Sequence, residues 1–368
     1  MAEDKISEKH LPSDIKQFPV IWTYELLKYL RSKRLVAAIA LVVAVLALIY
    51  LLPPAFGHPY KGTDTNADVF LTSLGQPVEF QGLSIYGYGV VNRSDLEPST
   101  FKLYKDGALE PQGANWTLSP SISFGGFAVS NAILFTTADF AGHTYTATYD
   151  WAVSTQSFAM LFMNFVNFLV IICATFFGAD SIVSEYQNRT GYLIFPNPVK
   201  RSTLFFGKYA ASMSAAVLVV GLFYVGIVSL SLITLGDLDK GFGLSFAFAV
   251  EYLIAAIAIA YLVSSILKGS TGALVLTFFL FLLILPIIDG VSLFTNTKIE
   301  WSLTFAAGVL MFILQHPYPV DQSQAIPGFG NFGVFYPSPE MAAIVMAVYA
   351  VVAMALALVL FKRKQLLG

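Results

Sequence analysis

At 368 residues, with 56% hydrophobic and only 12% charged content, the chain lies far from ordinary soluble domains, in which charged residues make up about a quarter. A formal net charge of −2, with no basic stripe away from the flanks of apolar runs, excludes nucleic acid as a partner. The composition is that of an integral membrane protein. Its one cysteine, Cys173, lies inside an apolar run, so no intrachain disulfide forms and the thiol reads as a small buried hydrophobe. The four histidines are scattered without a second ligand at metal spacing, so no metal site is expected.

Residues 1–34 form a cytoplasmic tail and an interfacial helix. Phe18, Trp22, Leu26 and Leu30 recur every four residues, with Lys28, Arg31, Lys33 and Arg34 interleaved or following. The pattern predicts an amphipathic helix in the inner interface, aromatic side toward lipid, with Pro19 in its first turn. The apolar run at 35–52 is the first transmembrane helix. A long polar stretch precedes it, which argues against a cleaved signal peptide.

Residues 53–156 read as an extracellular β-rich domain. Gly, Pro, Ser and Thr punctuate short alternating runs such as "LSIYGYGVV", "SISFGGFAVS" and "HTYTATYDW". In the last, Tyr145, Ala147, Tyr149 and Trp151 fall on one side and Thr144, Thr146, Thr148 and Asp150 on the other. Such alternation predicts strands, and the spacing of turn signals a β-sandwich-like fold. Asn92 and Asn115 open N-x-[ST] sequons, candidates for glycosylation, while the sequon at Asn188 falls on the expected cytoplasmic side.

Residues 157–368 hold spans two to six, at 157–177, 209–235, 244–267, 270–289 and 341–361. With both termini in the cytoplasm, thirteen Lys and Arg flank the spans inside and three, Lys61, Lys240 and Lys298, outside, which fixes the orientation. The region 290–340 includes the short run Trp301–Gln315. It is expected to be an outer re-entrant helix, because a full crossing would put the basic C-terminus outside.

The segment 178–208 is the one substantial cytoplasmic connection between spans. Asp180 and Glu185 follow the second span; Gly191 breaks the helix; Pro196 and Pro198 force an extended turn; Lys200, Arg201 and Lys208 lead into the third span. A mere connector is shorter, so the segment reads as a docking element. Its pattern resembles the coupling segment of permease subunits of type-two ATP-binding-cassette transporters, the exporters with the ABCG-like fold. The resemblance rests on Glu185, Thr190-Gly191, Leu193, Pro198 with Arg201, and Gly207-Lys208, although here Thr precedes Gly. An amphipathic N-terminal helix, six spans and an outer re-entrant hairpin extend it over most of the chain; the outer domain is an addition.

That resemblance implies a polytopic α-helical permease that docks on a separate ABC ATPase subunit and pairs with a second permease copy or a paralogue. Asp180, Glu185, Arg189, Thr190, Gly191, Pro196, Pro198, Arg201 and Lys208 would carry ATPase coupling, with Asp180 and Glu185 facing basic groups on the ATPase. For Lys200, Arg201 and Lys208, plain anchoring to membrane lipid is the equal alternative. The chain has no phosphate loop, so no cofactor is expected on it, and ATP and Mg belong to the partner.

Inside the spans, Asn164 and Asn167 share a helix face, lining a substrate path or bonding a neighbouring helix. Glu251 suits a cavity or a buried partner. A competing reading is a receptor or mechanical transmitter, with a sensing outer domain and no translocation. Six spans and the re-entrant hairpin count against it. An ion-coupled carrier would need more intramembrane charge or broken helices than the spans hold. The transported substrate is not written in the sequence.

Overall fold

An apolar run of about 20 residues satisfies its own backbone only as a helix. The computed structural model has, among its described residues, six such helices: Lys33–Ala55, Thr155–Glu185, Arg201–Thr234, Phe242–Ile266, Ser270–Val291 and Pro339–Arg363. They are called the first to sixth spans below. The structure describes residues 14–80, 82–93, 95–113, 115–124, 127–187, 200–295, 297–326 and 330–363. All six expected runs are helical, but two boundaries move. The second span runs on to Glu185 and the third begins already at Arg201. The segment 178–208, expected as a loop, is therefore helical over most of its described part.

The chain divides into two units, Met1–Tyr50 with Ala159–Leu232 and Leu238–Gly368, and Leu51–Phe158 with Ile233–Asp237. In the first, the fourth span is the central element. Its most apolar window is 67% buried, against 17% for the first and fifth spans. Ala255, Ala256, Ala258 and Ala260 are fully buried along it, and small side chains let neighbouring backbones approach. Two spans are interrupted by a wide π turn: the second at Ala174–Gly178, the fifth at Leu280–Ile284. The latter sits just before Pro286, whose ring and missing N–H cannot fit a regular helix.

The N-terminal helix spans Asp14–Leu30 and starts earlier than expected, leaving Pro19 inside it. Ser32 then caps the first span, its hydroxyl accepting the Leu35 N–H at 3.2 Å. Between the fifth and sixth spans lie two short helices, Leu303–Ala307 and Val309–Phe312, both too short to cross a bilayer. They bury Leu303, Ala306, Val309 and Leu310 and pack against the fourth and sixth spans. A two-stranded hairpin, Gln322–Ile326 with Gly330–Val334, follows them.

Among its described residues the second unit contains eight strands: β1 (Lys61–Asp68), β2 (Phe70–Phe80), β3 (Leu83–Val90), β4 (Lys102–Lys105), β5 (Ala108–Glu110), β6 (Trp116–Phe124), β7 (Phe127–Phe135) and β8 (Tyr145–Ala152). They form two four-stranded sheets, ordered β1-β8-β4-β5 and β2-β3-β7-β6, with every pairing antiparallel. Strand β8 alternates as its sequence predicts: Tyr145, Ala147, Tyr149 and Trp151 are buried. They meet Trp116, Ile133 and Phe135 of the other sheet in one core, with Phe101 stacked on Tyr149 at 5.7 Å. Asp106 and Gly107 both adopt positive φ between β4 and β5, the Asp-Gly signature of a two-residue hairpin. Asn92 and Asn115 are both exposed, and Asn115 Nδ2 donates to Glu110 at 2.8 Å.

Candidate functional site

The N-terminal helix turns its apolar stripe toward protein, not lipid. Phe18, Ile21, Trp22 and Leu26 are half-buried and Glu25 and Tyr29 buried, whereas Val20 and Tyr24 are 68% and 72% exposed. The expected orientation, aromatic side to the bilayer, is thereby corrected. The reason is a close approach to the third span at Gly207, where an added Cβ would stand 2.7 Å from Ile21 Cγ2. Two turns on along the third span, Trp22 Nε1 donates to Ser214 Oγ at 3.1 Å. This approach places Glu25 beside Lys208, the residue after Gly207.

Lys208 is the centre of the site. Its ammonium donates to Glu25 Oε1 at 2.6 Å and to Glu185 Oε1 at 2.7 Å. The three side chains are only 4%, 7% and 9% exposed. Lys28, at the rim, stands 3.6 Å from Glu25 and 3.7 Å from Glu185. One turn deeper on the second span, Asp180 pairs with Arg34 of the first span at 2.7 Å and accepts the Ser270 hydroxyl of the fifth at 3.3 Å. Three carboxylates thus face three cations within one chain. Ions this enclosed would cost several kcal/mol each if left unpaired.

Beside the ion cluster lies a hydroxyl cluster, created by the break in the second span. The Ser181 N–H bonds to the Gly178 carbonyl instead of Phe177, four residues back. The freed Phe177 oxygen accepts hydroxyls from Tyr29 at 2.9 Å, Ser181 at 2.5 Å and Ser212 at 2.8 Å. Ser212 also lies 2.8 Å from the Tyr261 hydroxyl of the fourth span, and Ser264 accepts the N–H groups of Ile182 and Val183. At Gly178 an added Cβ would meet Ala260 Cβ at 2.8 Å, so a side chain there would push the two spans apart. Burial lifts Tyr29 above the usual phenol range, with hydrogen bonds from Ser181 and Ser212 opposing it. Tyr29 thus remains a neutral hydroxyl.

Several sequence expectations change accordingly. Asp180 and Glu185 do not present free carboxylates to another subunit; they are buried and paired with Arg34 and Lys208. Lys208 is not a lipid anchor, being enclosed between the two glutamates. Arg201 lies at the edge, donating to the Lys362 carbonyl at the end of the sixth span at 2.9 Å. Arg189, Thr190, Gly191, Pro196 and Pro198, like Asn188 and Leu193, lie outside the described residues. The site binds together both helical flanks of that stretch, 178–187 and 200–208.

The intramembrane candidates are dispersed. Asn164 is exposed and donates to the Met160 carbonyl of its own helix at 3.0 Å, so it does not join two helices. Asn167 Oδ1 is enclosed with no hydrogen-bond partner among the described residues. Glu251 is half-buried on the fourth span. Sequence reasoning missed Glu25, Tyr29, Ser181, Ser212 and Tyr261. Only Glu25 left a signal, as an acidic residue within the apolar stripe of an amphipathic helix.

Six spans, a β unit between the first two, and an enclosed ion cluster joining an N-terminal helix to the span ends define a polytopic helical membrane protein with a built joint. Residues 20–366 match the model of the family described as ABC-2 family transporter protein, and the chain belongs to that family. It is therefore the membrane-spanning permease of an ABC transporter, and membership implies a partner ATPase subunit. No curated protein matches the chain.

Proposed function

We propose that the chain is the permease of an exporter, with both termini in the cytoplasm and the β unit outside. The segment 178–208 receives motion from a separate ATPase, which holds the ATP and Mg. Within it, Arg189, Thr190, Gly191, Pro196, Pro198 and Arg201 form the contact. Glu185, Asp180 and Lys208 act behind it as positioning residues. The observation that carries this reading is the Glu25–Lys208–Glu185 cluster. It ties the two helices flanking 188–199 to the N-terminal helix, so a push on that stretch moves three elements together. Opening and closing between two permeases, this chain with a second copy or a paralogue, then moves substrate past Asn164, Asn167 and Glu251.

Native mass spectrometry of the gently solubilised complex from its own host tests the proposal. An ATPase in equal copy number with this chain is the expected result. The chain found alone, or with envelope proteins only, would replace this reading with that of a receptor or mechanical transmitter.

A further inference from the structure

The break in the second span has no proline behind it. Residues 174–187 contain none, whereas in the fifth span Pro286 follows the π turn. Turns of this kind recur at functional sites in helices, and a side chain inserted into the backbone ladder also bends a helix. Here such side chains come from every side. Phe176 O accepts Arg34 Nη1 of the first span at 3.2 Å. Phe177 O accepts the Tyr29 hydroxyl of the N-terminal helix at 2.9 Å and that of Ser212 on the third span at 2.8 Å. Ser264 Oγ of the fourth span accepts the N–H groups of Ile182 and Val183 at 3.1 and 3.0 Å. Four neighbouring elements thus bond the backbone of the second span where a regular helix bonds only to itself.

The hydroxyls at the break outnumber the places for them. A carbonyl oxygen has two lone pairs, yet Phe177 O has three hydroxyls within 2.9 Å, those of Tyr29, Ser181 and Ser212. Whichever is left over finds another partner at once. Tyr29 lies 2.8 Å from Ser181 and 2.9 Å from Ser212, and Ser212 lies 2.8 Å from Tyr261. Rotation of these hydroxyls exchanges partners without stranding a buried polar atom, the loss that makes buried hydrogen bonds costly to break. The outer part of the span, Thr155–Cys173, has no such freedom. It is packed by apolar side chains, among them the fully buried Phe158, Phe162, Val166 and Leu169.

We infer that residues 176–183 are a hinge in the second span. The outer rod Thr155–Cys173 and the inner end Val183–Gln187 swing against each other, and the hydroxyls of Tyr29, Ser181, Ser212 and Tyr261 are the bearing on which they turn. The inner end leads directly into the docking segment, so a push there bends the span at the hinge instead of tilting all of it. Only that use rests on the transport reading; the hinge is a property of the chain alone. Native mass spectrometry judges the first, and a distance measurement judges the second.

The measurement is double electron–electron resonance on the full chain in nanodiscs, with spin labels at Asn164→Cys and Gln187→Cys, both exposed positions. Cys173 is fully buried and takes no label. A straight helix would hold the two positions about 34 Å apart. The hinge should give a broad or two-peaked distribution that reaches shorter distances. Ser181→Ala removes the surplus hydroxyl and its bond back to its own helix, a bond that bends helices, and should at least halve the width. Ser264→Ala leaves two buried N–H groups unpaired and should widen the distribution. A purely structural role for both serines would not give opposite effects. One narrow peak in the wild type, or a Ser181→Ala distribution as wide as the wild type, overturns the proposal. If Ser264→Ala fails to fold, the Ser181→Ala comparison decides, since alanine is the better helix former.

Discussion

Lys208 carries the most consequence per atom in the chain. Its ammonium is the one group touching both Glu25 and Glu185 below 3 Å, among the described residues. Replacing it with Met leaves two buried carboxylates close together with only the rim cation Lys28 between them. Removing one partner of a buried ion pair costs about 3–5 kcal/mol, whereas replacing the whole group with apolar or neutral side chains is often neutral. Lys208→Met should therefore sharply lower the unfolding temperature of the purified protein. The triple variant Glu25→Gln, Glu185→Gln, Lys208→Met should recover most of that loss. Equal melting of Lys208→Met and wild type would mean that the cluster is not closed in the membrane. None of this pairing was legible locally. Glu25 and Lys208 stand 183 residues apart in sequence, and a lysine beside a span end reads as a lipid anchor until its partner is known. The Gly207-Lys208 pair was recognised as a motif, but its physical reason, a glycine that admits the N-terminal helix so that the lysine meets a glutamate, needed the fold.

At the scale of elements, legibility followed the strength of the periodic signal. Spans are dictated by apolar length alone, so all six were readable, and β8 was readable side chain by side chain because strict alternation admits one assignment of faces. Helix ends were not. Glu185 and Arg201 look like loop residues, yet both are helical, and Lys208 neutralises Glu185 in place. The β4–β5 hairpin offers a test at this scale. Asp106 accepts the Thr144 N–H at 2.9 Å and pairs with His143, fastening the turn to the start of β8. The Thr144 bond first, then His143, holds the Asp106 carboxyl below its ordinary value. Asp139 is lowered likewise by Lys105. A depressed carboxyl contributes stability that is complete above the unfolded value, about 3.9, and is lost as pH falls through the folded one. Asp106→Asn should therefore melt the β unit earlier than wild type at pH 7, followed by near-ultraviolet circular dichroism. The two should converge near pH 2. A difference that persists in acid would assign the effect to the turn's backbone, not to the charge.

For the molecule as a whole, the open quantity is sidedness, and the structure sharpens the charge argument for it. Orientation is set by Lys and Arg near the span ends, with Asp and Glu contributing little. Three of the thirteen cations on the proposed cytoplasmic side, Lys28, Arg34 and Lys208, are paired with carboxylates of the chain, as is Lys298 among the three outside. Discounting all four leaves ten against two, so the asymmetry holds without them. Cys173 makes the test clean: it is fully buried, so a membrane-impermeant maleimide finds no background thiol. Ser99→Cys in the β unit and Thr23→Cys on the N-terminal helix each place a thiol at an exposed position. In intact cells Ser99→Cys should label at once, and Thr23→Cys only after the membrane is permeabilised. The reverse pattern would put the ion cluster on the outer side, out of reach of any ATP-driven subunit. The joint at Lys208 would then have to answer to a partner outside the cell.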